Sequence, residues 1–323
     1  AIEQVAGLQA QVPRPPFVGL WSRVPGFERE ALHRLVHDRK AVRATLMRGT
    51  IHLVSAGDFA VLRAALSPML SMGLERLDGL NVPAVAKHAR KLLPATFETV
   101  RAALAAKFPA HDPRTLGYAV QLHLPLVRVP SETRWSYSGN AHFHEAETWL
   151  GRGLAEVGLE HLVRRYLAAF GPGTVKDAQA WSGVRSLAKV FEVMRGELRV
   201  FADPDGRELF DLPDAPRPPE DTPAPVRLLP EYDNVLLAFA DHARIIDPAR
   251  RPALTTNNGM VAATFLVDGR IAGTWELARV KDTASIRLRP FGKLSAAVLA
   301  TVREEAEALL RWHEPDARKL TIR

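Results

Sequence analysis

Residues 213–225 read Pro-Asp-Ala-Pro-Arg-Pro-Pro-Glu-Asp-Thr-Pro-Ala-Pro, six prolines in thirteen positions. Each proline fixes φ and removes a backbone donor, so neither a helix nor a central strand can run through the stretch. It reads as a stiff, exposed linker. On its C-terminal side, residues 227–237, 259–267, 270–280 and 283–288 alternate apolar and polar, while 295–312 keep helical periodicity. Residues 226–323 are therefore expected to form a small β-barrel or curled sheet buttressed by one helix.

On the N-terminal side, helix-period segments are followed three times by alternating runs. In 1–54, Leu32, Leu35 and Val36 mark a helix over 28–37 after the Pro25-Gly26 turn. Residues 44–54 then suggest a hairpin turning near Arg48-Gly49, with Ile51 and Leu53 inward and Thr50 and His52 outward. In 55–140, Phe59, Leu62, Leu66, Phe97, Val100 and Leu104 lie on helices, and strands are expected over 122–129 and 134–137. In 141–212 a helix through Leu159, Leu162, Val163, Tyr166 and Leu167 stops at Gly171-Pro172-Gly173. Thr174 and Asp177 then cap the next helix. A further helix carries Leu187, Val190, Phe191 and Met194, and a hairpin folds about Asp203-Pro204-Asp205-Gly206. Helices followed by a hairpin describe a winged helix, so the predicted class is α+β, with three tandem winged-helix modules ahead of the C-terminal sheet.

The segment Gly7-Leu8-Gln9-Ala10-Gln11-Val12-Pro13 places two carboxamides one residue apart. Residues 1–8 have apolar Ile2, Val5, Ala6 and Leu8 at helical spacing with no cap ahead of them, which reads as the middle of a helix whose start precedes this numbering. Val12 stands before Pro13, and Pro15-Pro16 follow, so the helix is expected to give way near the glutamines. In extended chain, residues i and i+2 share a face, which would let Gln9 and Gln11 meet one small ligand. From spacing alone they read more readily as solvated polar residues at a frayed end.

Composition narrows the function classes. The 323 residues include no cysteine, which removes disulfides, thiolate nucleophiles and cysteine-ligated metal sites. A formal charge of +7, mostly arginine, favours polyanionic partners or a solvated basic surface. No apolar run approaches a membrane span, and there is no signal-like start, which suits a cytoplasmic, nucleoid-associated protein. Walker, Rossmann and Gly-x-Ser-x-Gly signatures are missing, so no nucleotide cofactor is expected. His142 and His144 with Glu145 and Glu147 have a metal-ligand look, but companion ligands are not identifiable and no metal is expected. Trp181 and Trp275 are assigned to packing rather than to base stacking.

Several blocks together resemble the AlkZ-type tandem winged-helix DNA glycosylases. They are Gly7 to Gln11, Leu46-Met47-Arg48-Gly49-Thr50-Ile51-His52-Leu53, Gly171 to Asp177 with Trp181-Ser182-Gly183, Leu229 to Leu236, and Val267 to Trp275. Residues 131–133, Ser-Glu-Thr, depart from the Pro-Arg-Gly more often found at that wing tip. The resemblance implies a concave, C-shaped array and a cofactor-free, monofunctional glycosylase acting on alkylated or crosslinked purines in double-stranded DNA. It implies catalytic roles for Gln9 and Gln11, with Arg48, Thr50 and His52 beside them. Arg14, Arg43, Arg134, Arg185 and Lys189 are the further candidates for DNA contact. Relatives with aspartate at the second catalytic position favour simpler alkylpurines, so Gln11 implies the bulky-adduct branch. A monomer is expected. Two other classes fit the helix-turn-helix grammar of 159–182: a non-catalytic winged-helix regulator, with an operator preference and dimer symmetry, and a protein-interaction scaffold without salt-dependent DNA affinity.

Overall fold

The computed structural model describes residues 1–74, 77, 79–255 and 259–323. Contacts divide them into two units, residues 1–17 with 28–215 and residues 18–27 with 216–323.

The first unit is organised by a six-stranded antiparallel sheet in the order Leu8–Gln9, Ile51–Ser55, Ala41–Thr45, Leu126–Arg128, His142–Glu145, Ala95–Thr96. The expected first hairpin is its centre. Ala41–Thr45 and Ile51–Ser55 pair with Arg43 opposite Leu53 and Ala44 opposite His52, and the tip turns through Arg48 at φ 56° and Gly49 at φ 70°. Helices Arg29–His37 and Ala56–Met72 pack against it. All five positions of Ala41–Thr45 are buried, so the sheet has no solvated face here and simple alternation fails. His52, expected to face outward, is 1% exposed.

The second wing is assembled differently from the expectation. Leu122 and His123 end the helix Pro113–His123, and the strand begins only at Leu126. Its partner is His142–Glu145, while residues 134–137 form a turn in which Ser136 has φ 60°, a conformation no strand accommodates. His33 clamps that turn, with Nδ1 2.6 Å from Ser136 Oγ and Nε2 3.1 Å from the Arg134 carbonyl. Behind the strands, helices Val82–Arg90, Phe97–Lys107 and Pro113–His123 close a core through Val85, Ala89, Val100, Leu104, Leu116 and Val120. Asn81, Thr96 and Asp112 each accept a first-turn N–H and fix where those helices start.

The helix-turn-helix stretch folds as its sequence reads. Leu159–Phe170 buries Leu162, Val163, Tyr166 and Leu167, and Thr174 and Asp177 form a reciprocal capping box on Val175–Ser182. The hairpin of Arg199–Ala202 and Glu208–Asp211 follows the helix Ala188–Met194.

The N-terminal helix is not found. Glu3–Val5 is one 3-10 turn, ended by Ala6 at φ 49° and Gly7 at φ 88°. Gly7 lies so close to the first hairpin that a Cβ there would sit 2.4 Å from Val54 Cγ1, and only glycine lets Leu8 and Gln9 reach Leu53 and His52. Downstream, Pro15 and Pro16 begin the helix Pro15–Trp21 instead of prolonging an extended chain. Proline is tolerated in a first turn because its missing N–H would have no helical acceptor there.

The second unit is a five-stranded sheet in the order Lys319–Ile322, Thr283–Pro290, Arg270–Val280, Thr264–Val267, Arg227–Leu229. Among the described residues its two edge strands do not pair, so it is the curled sheet rather than the closed barrel. Helix Ala296–His313 buries Val302, Ala306, Leu309, Leu310 and His313 on one stripe. Trp275 anchors the core, its Nε1 donating to the Leu229 and Thr264 carbonyls at 2.9 and 3.0 Å. No helix among the described residues is long and apolar enough to cross a membrane.

Candidate active site

The chain leaves Gln9 as an edge strand and ends its pairing in an unusual way. Ala10 N–H donates to the Ile51 carbonyl at 2.7 Å, and the return bond of an antiparallel pair would run from Ile51 N–H to the Ala10 carbonyl. That carbonyl accepts instead from Arg43 Nε at 2.8 Å. Ile51 N–H instead donates to Gln11 Oε1 at 2.7 Å, so a side-chain amide finishes the ladder. Gln9, 7% exposed, accepts at Oε1 from Arg48 Nη2 at 2.6 Å.

These partners are donors only, which fixes the orientation of both carboxamides: each oxygen faces inward to its donor and each NH2 points the other way. Each oxygen keeps a second lone pair. Among the described residues neither NH2 makes a hydrogen bond. Gln9 and Gln11 thus both reach the same hairpin, one at its tip and one at the start of its returning strand.

Arg48 ties this corner to the helix-turn-helix stretch. Its Nη1 donates to the Trp181 carbonyl, in the last turn of Val175–Ser182, where carbonyls lack helical partners and the helix dipole is negative. Gly183, at φ 84°, caps that helix, and a Cβ on it would come within 3.0 Å of Arg48 Cα. The Trp181 ring packs against Tyr166 and Phe170 as expected, while its backbone serves the site. Burial draws the Arg48 guanidinium down to about 10, so it remains a cation at neutral pH.

His52 is held neutral. Burial, then the Arg48 charge, pull it down to about 3, partly opposed by its backbone hydrogen bond, in which Nδ1 lies 3.1 Å from the Thr50 carbonyl. A neutral, enclosed ring offers neither charge nor an open face to a phosphate, which corrects the outward placement. Thr50 Oγ1 donates to the Met47 carbonyl at 3.0 Å and so fixes the turn. Arg43 is 4% exposed and braces the glutamine segment, with Nε on the Ala10 carbonyl and Nη2 on the Gln11 carbonyl at 3.0 Å. Among the described residues no carboxylate bonds to Gln9, Gln11, Arg43, Arg48 or His52.

The remaining candidates stand apart from this cluster. Arg14 is half-buried three residues beyond Gln11. Arg134 lines a groove of about 560 Å³ with Arg29, His33, Arg34 and His37. Arg185 and Lys189 are exposed after Gly183. His142 and His144 lie on a strand whose Glu145 pairs with Arg90 at 2.7 Å. Arg128 and Tyr137 were not singled out by the sequence. They reach this region through the pairing of Arg43 with Arg128, which no local pattern announces.

A family model described as "DNA glycosylase AlkZ-like" matches residues 2–312. The interstrand DNA cross-link repair glycosylase of Streptomyces sahachiroi is 24% identical over 338 residues, covering 96% of this chain and 89% of that protein. The solved structure of Streptomyces sahachiroi DNA glycosylase AlkZ aligns with a TM-score of 0.80 at 21% identity, covering 100% of this chain and 92% of that one. The structural likeness carries the α+β fold as a whole.

Proposed function

The chain belongs to the AlkZ-like DNA glycosylase family, and from that premise we propose that it hydrolyses the N-glycosidic bond of N7-alkylated purines, with bulky adducts and interstrand crosslinks among its substrates. The observation that carries this reading is the pair of fixed carboxamides, Gln9 and Gln11, held against one hairpin beside a buried cation, with no carboxylate bonded to them among the described residues.

A carboxamide is a poor base, but an N7-alkylated purine already carries positive charge. When C1′–N9 breaks, the bonding electrons neutralise the base and leave an oxocarbenium-like sugar, so the leaving group needs no proton. Water adds to C1′ and releases its proton to solvent, giving an abasic sugar and a neutral alkylpurine. What the protein supplies is position and polarity. The free lone pairs of the Gln9 and Gln11 oxygens accept the water's hydrogens, and their carbonyl dipoles favour the growing positive charge. Arg48 holds Gln9 in that orientation rather than meeting the sugar itself.

The crosslink substrate is supported by the Streptomyces sahachiroi relative, a cross-link repair glycosylase, and by glutamine rather than aspartate at position 11. A base tethered to the opposite strand cannot enter a closed flipping pocket, so an open approach suits it. The protein acts on duplex DNA as a monomer, without a nucleotide cofactor, in contact with the nucleoid. The phosphate contacts assigned to Arg14, Arg134, Arg185 and Lys189 belong to this reading, as does a tandem winged-helix frame.

The test is excision from a duplex carrying one N7-methylguanine, with alkali to cleave abasic sites. The wild type yields strand breaks, and Gln9→Ala/Gln11→Ala loses about 100-fold or more. Equal cleavage by the two proteins overturns the reading.

A further inference from the structure

Arg43 and Arg128 stand directly opposite each other on neighbouring antiparallel strands, so both side chains lie on one face of the sheet. Two like charges in that register oppose folding, and burial adds a desolvation cost that ion pairing normally offsets. No such pairing is made: among the described residues neither guanidinium bonds to an aspartate or glutamate.

The neighbours are instead aromatic. The Arg43 guanidinium lies 5.2 Å from the Tyr137 ring centroid, and that of Arg128 lies 4.8 Å from the Phe143 ring. Arg128 Nη1 is completely buried without a hydrogen-bond partner. Tyr137 is 5% exposed and its hydroxyl bonds to none of the described residues. That hydroxyl does not act as a counter-ion, because burial pushes it up and outweighs the pull of the two arginines, so it stays a neutral donor. Burial also draws Arg43 down to about 10 and Arg128 to about 9, with Arg43 contributing to the latter. Both remain cations at neutral pH. Arg43 thus spends Nε and Nη2 on the Ala10 and Gln11 carbonyls, while Arg128 and the Tyr137 hydroxyl beside it are donors that bond to no acceptor among the described residues.

An anion with several acceptor oxygens would supply the acceptors that these groups lack, and planar guanidinium matches phosphate geometry well. We propose that Arg43, Arg128 and Tyr137 form the seat for one phosphodiester of the DNA strand, immediately beside the Gln9–Gln11 segment. The choice of DNA over another phosphate rests on the function proposed above. The seat fixes the strand's register relative to the glutamines and carries no base information.

The experiment uses the full chain and an undamaged duplex, so it does not depend on excision. Arg128→Met removes an uncompensated charge, and the melting temperature is expected to hold or rise. Affinity should fall about tenfold at low salt, and the log–log salt slope should become shallower by about one. Tyr137→Phe, which deletes only the hydroxyl, should weaken binding a few-fold without lowering the melting temperature. A duplex series with one neutral methylphosphonate moved along the strand identifies the seated linkage: the wild type is weakened at one position to which Arg128→Met is indifferent. A fall in melting temperature for Arg128→Met with an unchanged salt slope overturns the proposal in favour of a packing role. Stabilisation by inorganic phosphate that Arg128→Met abolishes, with no methylphosphonate-sensitive linkage, overturns the DNA assignment in favour of a free-phosphate site. Wild type that binds as described yet excises nothing sinks the proposed function and leaves the seat standing.

Discussion

The hairpin of Ala41–Thr45 and Ile51–Ser55 and the hairpin of Arg199–Ala202 and Glu208–Asp211 are similar in length and each turns on a positive-φ glycine, Gly49 or Gly206. Their outgoing strands have opposite surroundings, although the second hairpin buries Phe210 and Asp211 on its return. Every residue of Ala41–Thr45 is buried, whereas every residue of Arg199–Ala202 is exposed, including Phe201 at 37% and Val200 at 40%. Their charges follow suit. Beside the exposed hairpin Arg195 pairs with Glu208 and Arg207 with Asp203, whereas Arg43 and Arg48 in the buried one bond only to backbone carbonyls and an amide. Exposed pairs of that kind contribute little. In the first hairpin, then, the positive charge of Arg43 and Arg48 has no carboxylate partner among the described residues.

Four measurements would break or sharpen this contrast. Leu53→Ala in the first hairpin should cost about 2–5 kcal/mol in urea unfolding, while Phe201→Ala in the other should stay within about 0.5 kcal/mol. Similar losses would abolish the distinction. Next in size, Arg48→Ala should slow single-turnover excision of N7-methylguanine about 100-fold, equivalent to about 2.7 kcal/mol, because Gln9 loses the donor that orients it. Arg48→Lys should recover little, since an ammonium lacks the fork that spans Gln9 and Trp181.

A pH series reaches His52. Its folded value, about 3, lies below the ordinary 6.5, so between these limits the unfolded chain binds a proton that the native protein does not. Its contribution is complete above about pH 6.5 and is lost as pH falls toward 3, by at most about 1.4 kcal/mol per pH unit. Melting curves of His52→Gln should show a shallower acid slope than those of the wild type; an identical slope would place the titration elsewhere. Smallest of all, Arg185→Ala and Lys189→Ala should each weaken duplex binding only a few-fold and lower the salt slope by about one at most.

The parts legible in the sequence were those with local causes. The Arg48-Gly49 turn, the Thr174–Asp177 capping box, the Asp203–Gly206 turn and the stripe of the last helix each depend on residues a few positions apart. What stayed hidden was long-range. The two strands Ala41–Thr45 and Leu126–Arg128 join separate stretches of chain into one sheet. That joining sets Arg128 opposite Arg43, a neighbour that no local pattern announces. At the candidate site the same division holds: the Gln-x-Gln spacing is visible in the sequence, but not that Arg43 donates to the Ala10 carbonyl while Ile51 N–H donates to Gln11 Oε1.

Covalent order and cohesive order disagree around the helix Pro15–Trp21. Val18 is sealed among Leu228, Phe265, Trp275 and Leu309, and Arg23 forks onto the fully buried carboxylate of Asp233 at 2.7 and 2.9 Å. A protease that nicked the proline tract would thus cut the only peptide link between two halves still stitched together elsewhere. Any attempt to divide the protein there would strip Val18 of its apolar company on one piece and strand Asp233 without its cation on the other.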